Sequence, residues 1–217
     1  MTLKQKFAVL AVAALFVLFV PVSRADTLVP GGTISVPSST ILNGTIIADT
    51  GLQSFNFVGD TGTVAELVLR DFNTGNVDFV YQIVVTGGLI GSLTGFNFAG
   101  FATNVGFGTP ANGQFGGSVT NGGTVAPSSI GRSADGSVVQ FNFNPNISGV
   151  TTYALEIQTD ASGFTSGSIG LIDGGGATLN GFAPSNSVPE PTTNSLLGAG
   201  LVSLFALAGW RKKIRTI

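Results

Sequence analysis

Val77-Asp78-Phe79-Val80-Tyr81-Gln82-Ile83-Val84-Val85 is the stretch that decides the fold. Val77, Phe79, Tyr81, Ile83 and Val85 fall on one side of a period of two, with Asp78 and Gln82 on the other. Successive side chains of a strand point to opposite faces, so alternation carried by β-branched and aromatic residues predicts a half-buried strand. Residues 152–160 repeat the pattern, with Tyr153, Leu155 and Ile157 expected inward and Glu156, Gln158 and Asp160 outward. Residues 138–143 alternate Val139, Phe141 and Phe143 against Gln140 and Asn142.

Working outward, further strands are expected over 53–58, 63–70, 92–98, 114–120 and 168–172. Asn73-Thr74-Gly75-Asn76 lies between two strong strands and reads as a hairpin turn. Asn121-Gly122-Gly123 and Asp135-Gly136 mark further turns. Residues 26–50, rich in Pro, Gly, Ser and Thr, read as an irregular lead-in or an edge strand. No stretch between the two ends carries a convincing helical period. Many short strands without helices to cover a parallel sheet predict an all-β domain, an antiparallel β-sandwich of jelly-roll-like or Ig-like form. Phe-Asn-Phe occurs at 55–57, 96–98 and 141–143. The three copies show no regular period. They are expected to be inward phenylalanines around an outward asparagine, in preference to an aromatic binding platform.

The chain has 217 residues, with no cysteine and no histidine. Thiol nucleophiles, disulfides, imidazole bases and the usual zinc ligand sets are thereby excluded. Between residues 26 and 186 the bases are Arg70 and Arg132. The acids there are Asp26, Asp49, Asp60, Glu66, Asp71, Asp78, Asp135, Glu156, Asp160 and Asp173, a net charge of −8. Such a surface repels phosphate backbones and argues against nucleic acid as a partner.

The two ends differ from the middle. Lys4 and Lys6 precede an uninterrupted apolar run over 7–20, then Pro21 and Ser23-Arg24-Ala25. A run of about 14 residues is short for a bilayer core of about 30 Å but suits a cleavable signal peptide, with cleavage expected between Ala25 and Asp26. At the other end, Val188-Pro189-Glu190-Pro191-Thr192-Thr193 is followed by an apolar run over 195–209, then Trp210 and Arg211-Lys212-Lys213-Ile214-Arg215. Four cations (Arg211, Lys212, Lys213 and Arg215) after an apolar run form a stop-transfer signal, expected to stay cytoplasmic. The prolines keep the preceding peptide extended and accessible.

The order of PEP, apolar helix and basic end over 188–215 resembles the PEP-CTERM sorting signal of Gram-negative bacteria. The resemblance implies recognition of Pro189-Glu190-Pro191 by an exosortase, a membrane-bound protease or transpeptidase. Delivery to the outer surface or the exopolysaccharide matrix would follow. The basic block, RKKIR, departs from a pure arginine run. The middle also resembles a domain that recurs in PEP-CTERM proteins and has no assigned activity. That likeness rests on Gly62-Thr63-Val64 leading to Leu69-Arg70, on residues 77–82, on Phe98-Ala99-Gly100-Phe101 and on Leu171-Ile172-Asp173-Gly174-Gly175.

Candidate chemistry is sparse. No lysine lies between Lys6 and Lys212, which excludes a Ser-Lys dyad in the middle domain. Glu66 and Glu156 are its two glutamates, and a carboxylate pair for glycoside cleavage would draw on them; both are expected on outward, solvated positions. Asp71-Phe72-Asn73-Thr74-Gly75 and Asp173-Gly174-Gly175-Gly176 have oxygen ligands at loop spacing without a complete calcium loop, and read as turn aspartates.

The sequence therefore predicts a signal peptide over 1–25 and a β-rich extracytoplasmic domain over 26–186. A sorting tail over 187–217 carries an apolar transmembrane helix at 195–210 and a basic end at 211–215. The expected function is that of a non-catalytic surface or matrix protein of the cell envelope, with no cofactor and no metal. Its expected partners are the Sec translocon, signal peptidase and an exosortase-type protease. Exopolysaccharide binding is the first alternative and secreted glycoside hydrolysis the second.

Overall fold

The computed structural model describes residues 25–110 and 116–186. The chain divides into two compact units, Met1–Ser185 and Asn186–Ile217. The described residues belong to the first unit except Asn186. The hydrophobic part of the predicted signal peptide and the whole predicted tail, with its helix, lie outside them.

The described residues build fourteen strands and no helix. In chain order these are β1 (Asp26–Thr27), β2 (Thr33–Ile34), β3 (Ser39–Leu42), β4 (Gly44–Asp49), β5 (Gln53–Phe57), β6 (Asp60–Asp71) and β7 (Val77–Gly87). There follow β8 (Ile90–Phe96), β9 (Thr103–Pro110), β10 (Ser129–Arg132), β11 (Val138–Ile147), β12 (Ala154–Thr159), β13 (Gly163–Ile172) and β14 (Gly176–Ser185). The first sheet runs β1-β9-β12-β7-β6-β4, with β3 also on β9 and β5 also on β6; the second runs β14-β13-β8-β11-β10-β2. All named pairs are antiparallel except β3 with β9. The described residues adopt the expected all-β, two-sheet architecture.

The β6–β7 hairpin is the backbone of the first sheet. Its turn forms because Asp71 Oδ1 accepts from Asn73 N at 2.9 Å, Thr74 N at 2.6 Å and Thr74 Oγ1 at 2.9 Å, while Gly75 takes φ 73°. Asp71 is thus a turn aspartate, as its sequence context indicates. From this hairpin Val77, Phe79, Tyr81, Ile83 and Val85 enter the main core, each 2% exposed or less. Leu93, Phe141, Ile169 and Leu171 of the second sheet meet them. Phe79 packs edge-on to Phe98 at 5.4 Å between ring centres, and Tyr81 meets Phe141 across the sheets at 6.3 Å. Each fully buried aromatic contributes about 1.5–3 kcal/mol relative to exposure, so this column carries much of the sandwich.

Four positions expected to be outward and solvated are instead buried: Glu66, Asp78, Gln82 and Glu156. Two separate causes apply. Glu66 shares the parity of Val64 and Val68 and points into the sandwich, because β6 alternates Val64-Glu66-Val68 on its inner face. Asp78, Gln82 and Glu156 do point away from the main core, but the outer face of the first sheet is itself covered. Leu42 of β3 and Val119 lie over Ala65, Leu67, Leu69, Val80 and Ala154 in a second, smaller core. Gln82 fastens that cover, donating to Thr120 O at 2.9 Å and Thr152 O at 3.0 Å and accepting from Thr120 N at 2.8 Å.

The strand expected over 114–120 does not form among its described residues, 116–120, which instead cross the outer face and bring Val119 down onto it. Two of the three Phe-Asn-Phe triplets behave as expected, with Phe55, Phe57, Phe141 and Phe143 packed in the core and Asn56 and Asn142 less buried. In the third, Asn97 adopts φ 69° and turns the chain, so Phe98 enters the core while Phe96 lies over Gly170 on the other side of the second sheet.

Candidate functional site: a polar cleft on the covered face

At one end of the outer face of the first sheet, β6 and β12 finish where β7 and β9 begin. There the described residues leave a cleft of about 650 Å³. Its walls are Asp71, Asn73, Thr74 and Asn76 of the hairpin turn, Asp78 of β7, Asn104 of β9, Gln158, Thr159 and Asp160 at the end of β12, and Ala25 and Thr27 at and beside β1. The lining is amide, hydroxyl and carboxyl almost throughout.

Each carboxyl has a structural duty. Asp71 closes the turn, Asp160 Oδ1 accepts from Ala102 N at 2.9 Å, and Asp78 takes the backbone N–H of Thr159. Thr27 Oγ1 donates to Asn104 Oδ1 at 2.9 Å, tying the first strand to the cleft wall. Burial, reinforced by the nearby Glu156 and Asp71, pushes Asp78 up to about 8. Glu156 lies two residues before Gln158 on the same face of β12, and burial pushes it up to about 7 although Thr40 donates to it.

Of these acids, Asp160 feels the positive charge of Arg132. Arg70 Nη1 donates to Gly75 O at 2.9 Å and Ser162 O at 2.8 Å. Arg132 is buried and gives its donors to Gly136 O, Leu28 O, Thr103 Oγ1, Phe98 O and Phe101 O. Among the described residues no group of three or more acids is placed to hold a metal ion.

Glu66 and Glu156, the two glutamates a carboxylate pair would draw on, sit on opposite faces of the first sheet. Glu66 Oε2 accepts from Phe182 N inside the sandwich, while Glu156 Oε2 accepts from Thr40 Oγ1 on the outer side. They share no space in which a glycosidic bond could lie between them.

Of the residues assigned to processing, Ala25 lines the cleft and Asp26 opens β1. Asp26 pairs with Val105, and its carboxylate accepts from Ser38 N at 2.7 Å and Ser38 Oγ at 3.0 Å. Pro189, Glu190, Pro191, Arg211, Lys212, Lys213 and Arg215 lie outside the described residues. Residues 187–213 match the model of the PEP-CTERM protein-sorting motif. The chain carries a PEP-CTERM sorting motif. That motif spans the proline–glutamate–proline peptide, the apolar run and the start of the basic block. No curated protein and no solved structure matches the chain.

The cleft, the buried Arg132 and the Thr40–Glu156 contact are what sequence reasoning missed. One signal was present: two bases in a highly acidic domain, with Arg132 beside a turn, mark a guanidinium more apt to bind carbonyls than solvent.

Proposed function

We propose that the chain is a non-catalytic protein of the bacterial cell surface or extracellular matrix. It is exported through the Sec translocon, trimmed by signal peptidase after Ala25, and processed near Pro189-Glu190-Pro191 by an exosortase-type membrane protease. The PEP-CTERM sorting motif over 187–213 carries this reading. Two features of the domain support it. Its first strand starts at Asp26, the expected first residue after cleavage, and its last strand ends at Ser185, just short of the motif. The separation of Glu66 from Glu156 and the lack of histidine and cysteine support a binding or structural role over catalysis.

Intact mass of the protein from its host, with and without the sorting protease, tests the reading. A species running from Asp26 to the region of Pro189, seen only with the protease, is expected. A species that keeps Arg211 and all that follows in both strains would reduce the tail to an anchor.

A second reading is favoured by the cleft. Asn73, Asn76, Asn104 and Gln158 offer paired donors and acceptors of the kind that sugar hydroxyls engage. Phe72, 61% exposed at the hairpin tip beside Asn73, offers an apolar face next to them. The ligand of this reading is exopolysaccharide. Affinity electrophoresis in gels cast with the host polysaccharide tests it: retardation that Asn104→Ala weakens supports binding, and unretarded migration removes it.

A further inference from the structure

Glu66 and Tyr81 are directly paired across β6 and β7, and both point into the sandwich. Glu66 Oε2 accepts the Phe182 N–H of β14 at 2.8 Å. Glu66 Oε1 and the Tyr81 hydroxyl are both buried and close enough to influence each other, yet neither makes a well-formed hydrogen bond. An unsatisfied buried polar atom costs about 1–3 kcal/mol, so two side by side call for an account. Two glycines keep the space around them: a Cβ on Gly95 would stand 2.8 Å from the Tyr81 hydroxyl, and one on Gly181 would stand 2.5 Å from Glu66 Oε2.

An ionised carboxylate only accepts, and a phenol placed beside it would have to donate. A neutral carboxylic acid adds a donor, and that donor would sit on the oxygen that lacks a partner. We propose that Glu66 is protonated in the folded protein and donates from Oε1 to the Tyr81 hydroxyl oxygen while Oε2 holds the Phe182 N–H, forming a pH-sensitive clasp between the first sheet and edge strand β14. One proton thereby pairs both orphaned atoms without burying a charge, whereas the Tyr81 hydroxyl donating to an ionised carboxylate would leave an uncompensated charge in the core. The clasp also covers part of an exposed strand edge, beside Gln53 Nε2, which donates to Asn180 O at 2.7 Å, and Pro184, which has no N–H to offer.

The surroundings favour the neutral acid. Burial pushes Glu66 up to about 8, against the lowering effects of the Phe182 N–H and Tyr81. From β7 the titratable neighbour is Tyr81 itself, raised by burial and by Glu66. Around the carboxyl, β14 presents Gly181 and Phe182 and β13 presents Ile169; Gly95 of β8 sits against the Tyr81 hydroxyl. None of these titrates. On β4, Asp49 directs its carboxylate to Gly51 N and Ser118, on the far side of the sheet. Asp78 and Glu156 also lie on that far side. Deprotonating Glu66 leaves a bare carboxylate in the core with no cation among the described residues to meet it, and β14, at the edge of its sheet, is the element whose contact with Glu66 it would weaken.

The test uses the full-length chain in detergent with ¹³Cδ-labelled glutamate, which gives three carboxyl signals, from Glu66, Glu156 and Glu190. Glutamine variants assign them. The Glu66 carbon is expected to keep its protonated shift well above the ordinary glutamate midpoint of about 4.3. Hydrogen exchange at the Phe182 amide reads the clasp. Above the Glu66 midpoint it should accelerate beyond the hydroxide rate by about tenfold per pH unit, the slope of a one-proton linkage. In Glu66→Gln, which keeps an acceptor and a donor, it should follow hydroxide alone. A Glu66 signal titrating in the ordinary carboxylate range would overturn the proposal. So would a Glu66→Gln variant that retains the extra acceleration. The wild-type carboxyl titration and the wild-type exchange slope stand even if Glu66→Gln fails to fold.

Discussion

Thr40 Oγ1 donates a 2.7 Å hydrogen bond to Glu156 Oε2 by lying across Gly106, the residue of β9 that separates their strands. A Cβ at Gly106 would stand 2.4 Å from Thr40 Cγ2 and 3.0 Å from Ser38 O. The glycine is therefore a passage through which an edge strand supplies a donor to a buried acid one strand further in. Gly106→Ala should push β3 outward and break the bond, with a loss of about 2–4 kcal/mol in urea unfolding. Thr40→Val, which removes the donor and keeps the shape, should lose about 1–3 kcal/mol. Equal and negligible losses for both would show that Glu156 needs no partner.

Stability should fall as pH rises from about 5 to 8. Asp78, pushed to about 8 by burial and then by Glu156 and Asp71, and Glu156, pushed to about 7 by burial, hold protons more tightly folded than unfolded, where they titrate near 3.8 and 4.5. Across that window the folded state binds more protons, so unfolding free energy declines by up to about 1.4 kcal/mol per pH unit for each such group. Their contribution is complete below the unfolded values and is lost as pH passes the folded ones. Urea midpoints at several pH values check this, with Asp78→Asn expected to flatten the slope. A midpoint that climbs with pH would contradict the burial that causes these shifts.

The strands rich in β-branched and aromatic residues were legible because alternation survives translation into a pleated sheet: β7, β11 and β12 follow directly from it. β9 and β14 were not legible. Thr103-Asn104-Val105-Gly106-Phe107-Gly108 places glycine at its outward positions, where Thr40 needs room, and glycine reads as a turn. Gly176-Ala177-Thr178-Leu179-Asn180-Gly181 is similarly poor in strand formers, and its pairing is imposed by β13. The buried acids were misjudged because parity tells which face a side chain takes but not whether a second layer covers that face. The cleft draws on residues from 25 to 160, joined only by tertiary pairing, so no local pattern could announce it.

Val58 stands at the tip of the β5–β6 hairpin with φ 51°, followed by Gly59 at φ 92°, between the paired Phe57 and Asp60. A two-residue turn with both φ values positive favours Asn-Gly, and a β-branched residue is strained there. Val58 is also 79% exposed, so its side chain returns little by burial. Val58→Asn should stabilise the domain by about 1 kcal/mol. A higher thermal midpoint with an unchanged circular dichroism spectrum is the expected result. A lower midpoint would mean that the valine methyls packed near Gly175 matter more than the backbone strain.

Arg132 should be the costliest single polar residue to replace. Its Nε donates to Gly136 O at 3.0 Å, Nη1 to Leu28 O at 3.1 Å and Thr103 Oγ1 at 2.9 Å, and Nη2 to Phe98 O at 2.8 Å and Phe101 O at 2.9 Å. One planar group thus joins β10 of the second sheet to the turn after β8 and to the residue that follows β1 on the first sheet. A lysine keeps the charge but is a single point, and cannot span these acceptors in the fork geometry of a guanidinium. Arg132→Lys and Arg132→Met should each lose more than about 3 kcal/mol, because buried carbonyls are left without donors. The loss should also appear locally. With Leu28 O released, limited proteolysis is expected to clip near residues 26–32 before the rest of the sandwich yields. A lysine variant that unfolds like wild type and resists early clipping would show that solvent replaces the guanidinium without cost.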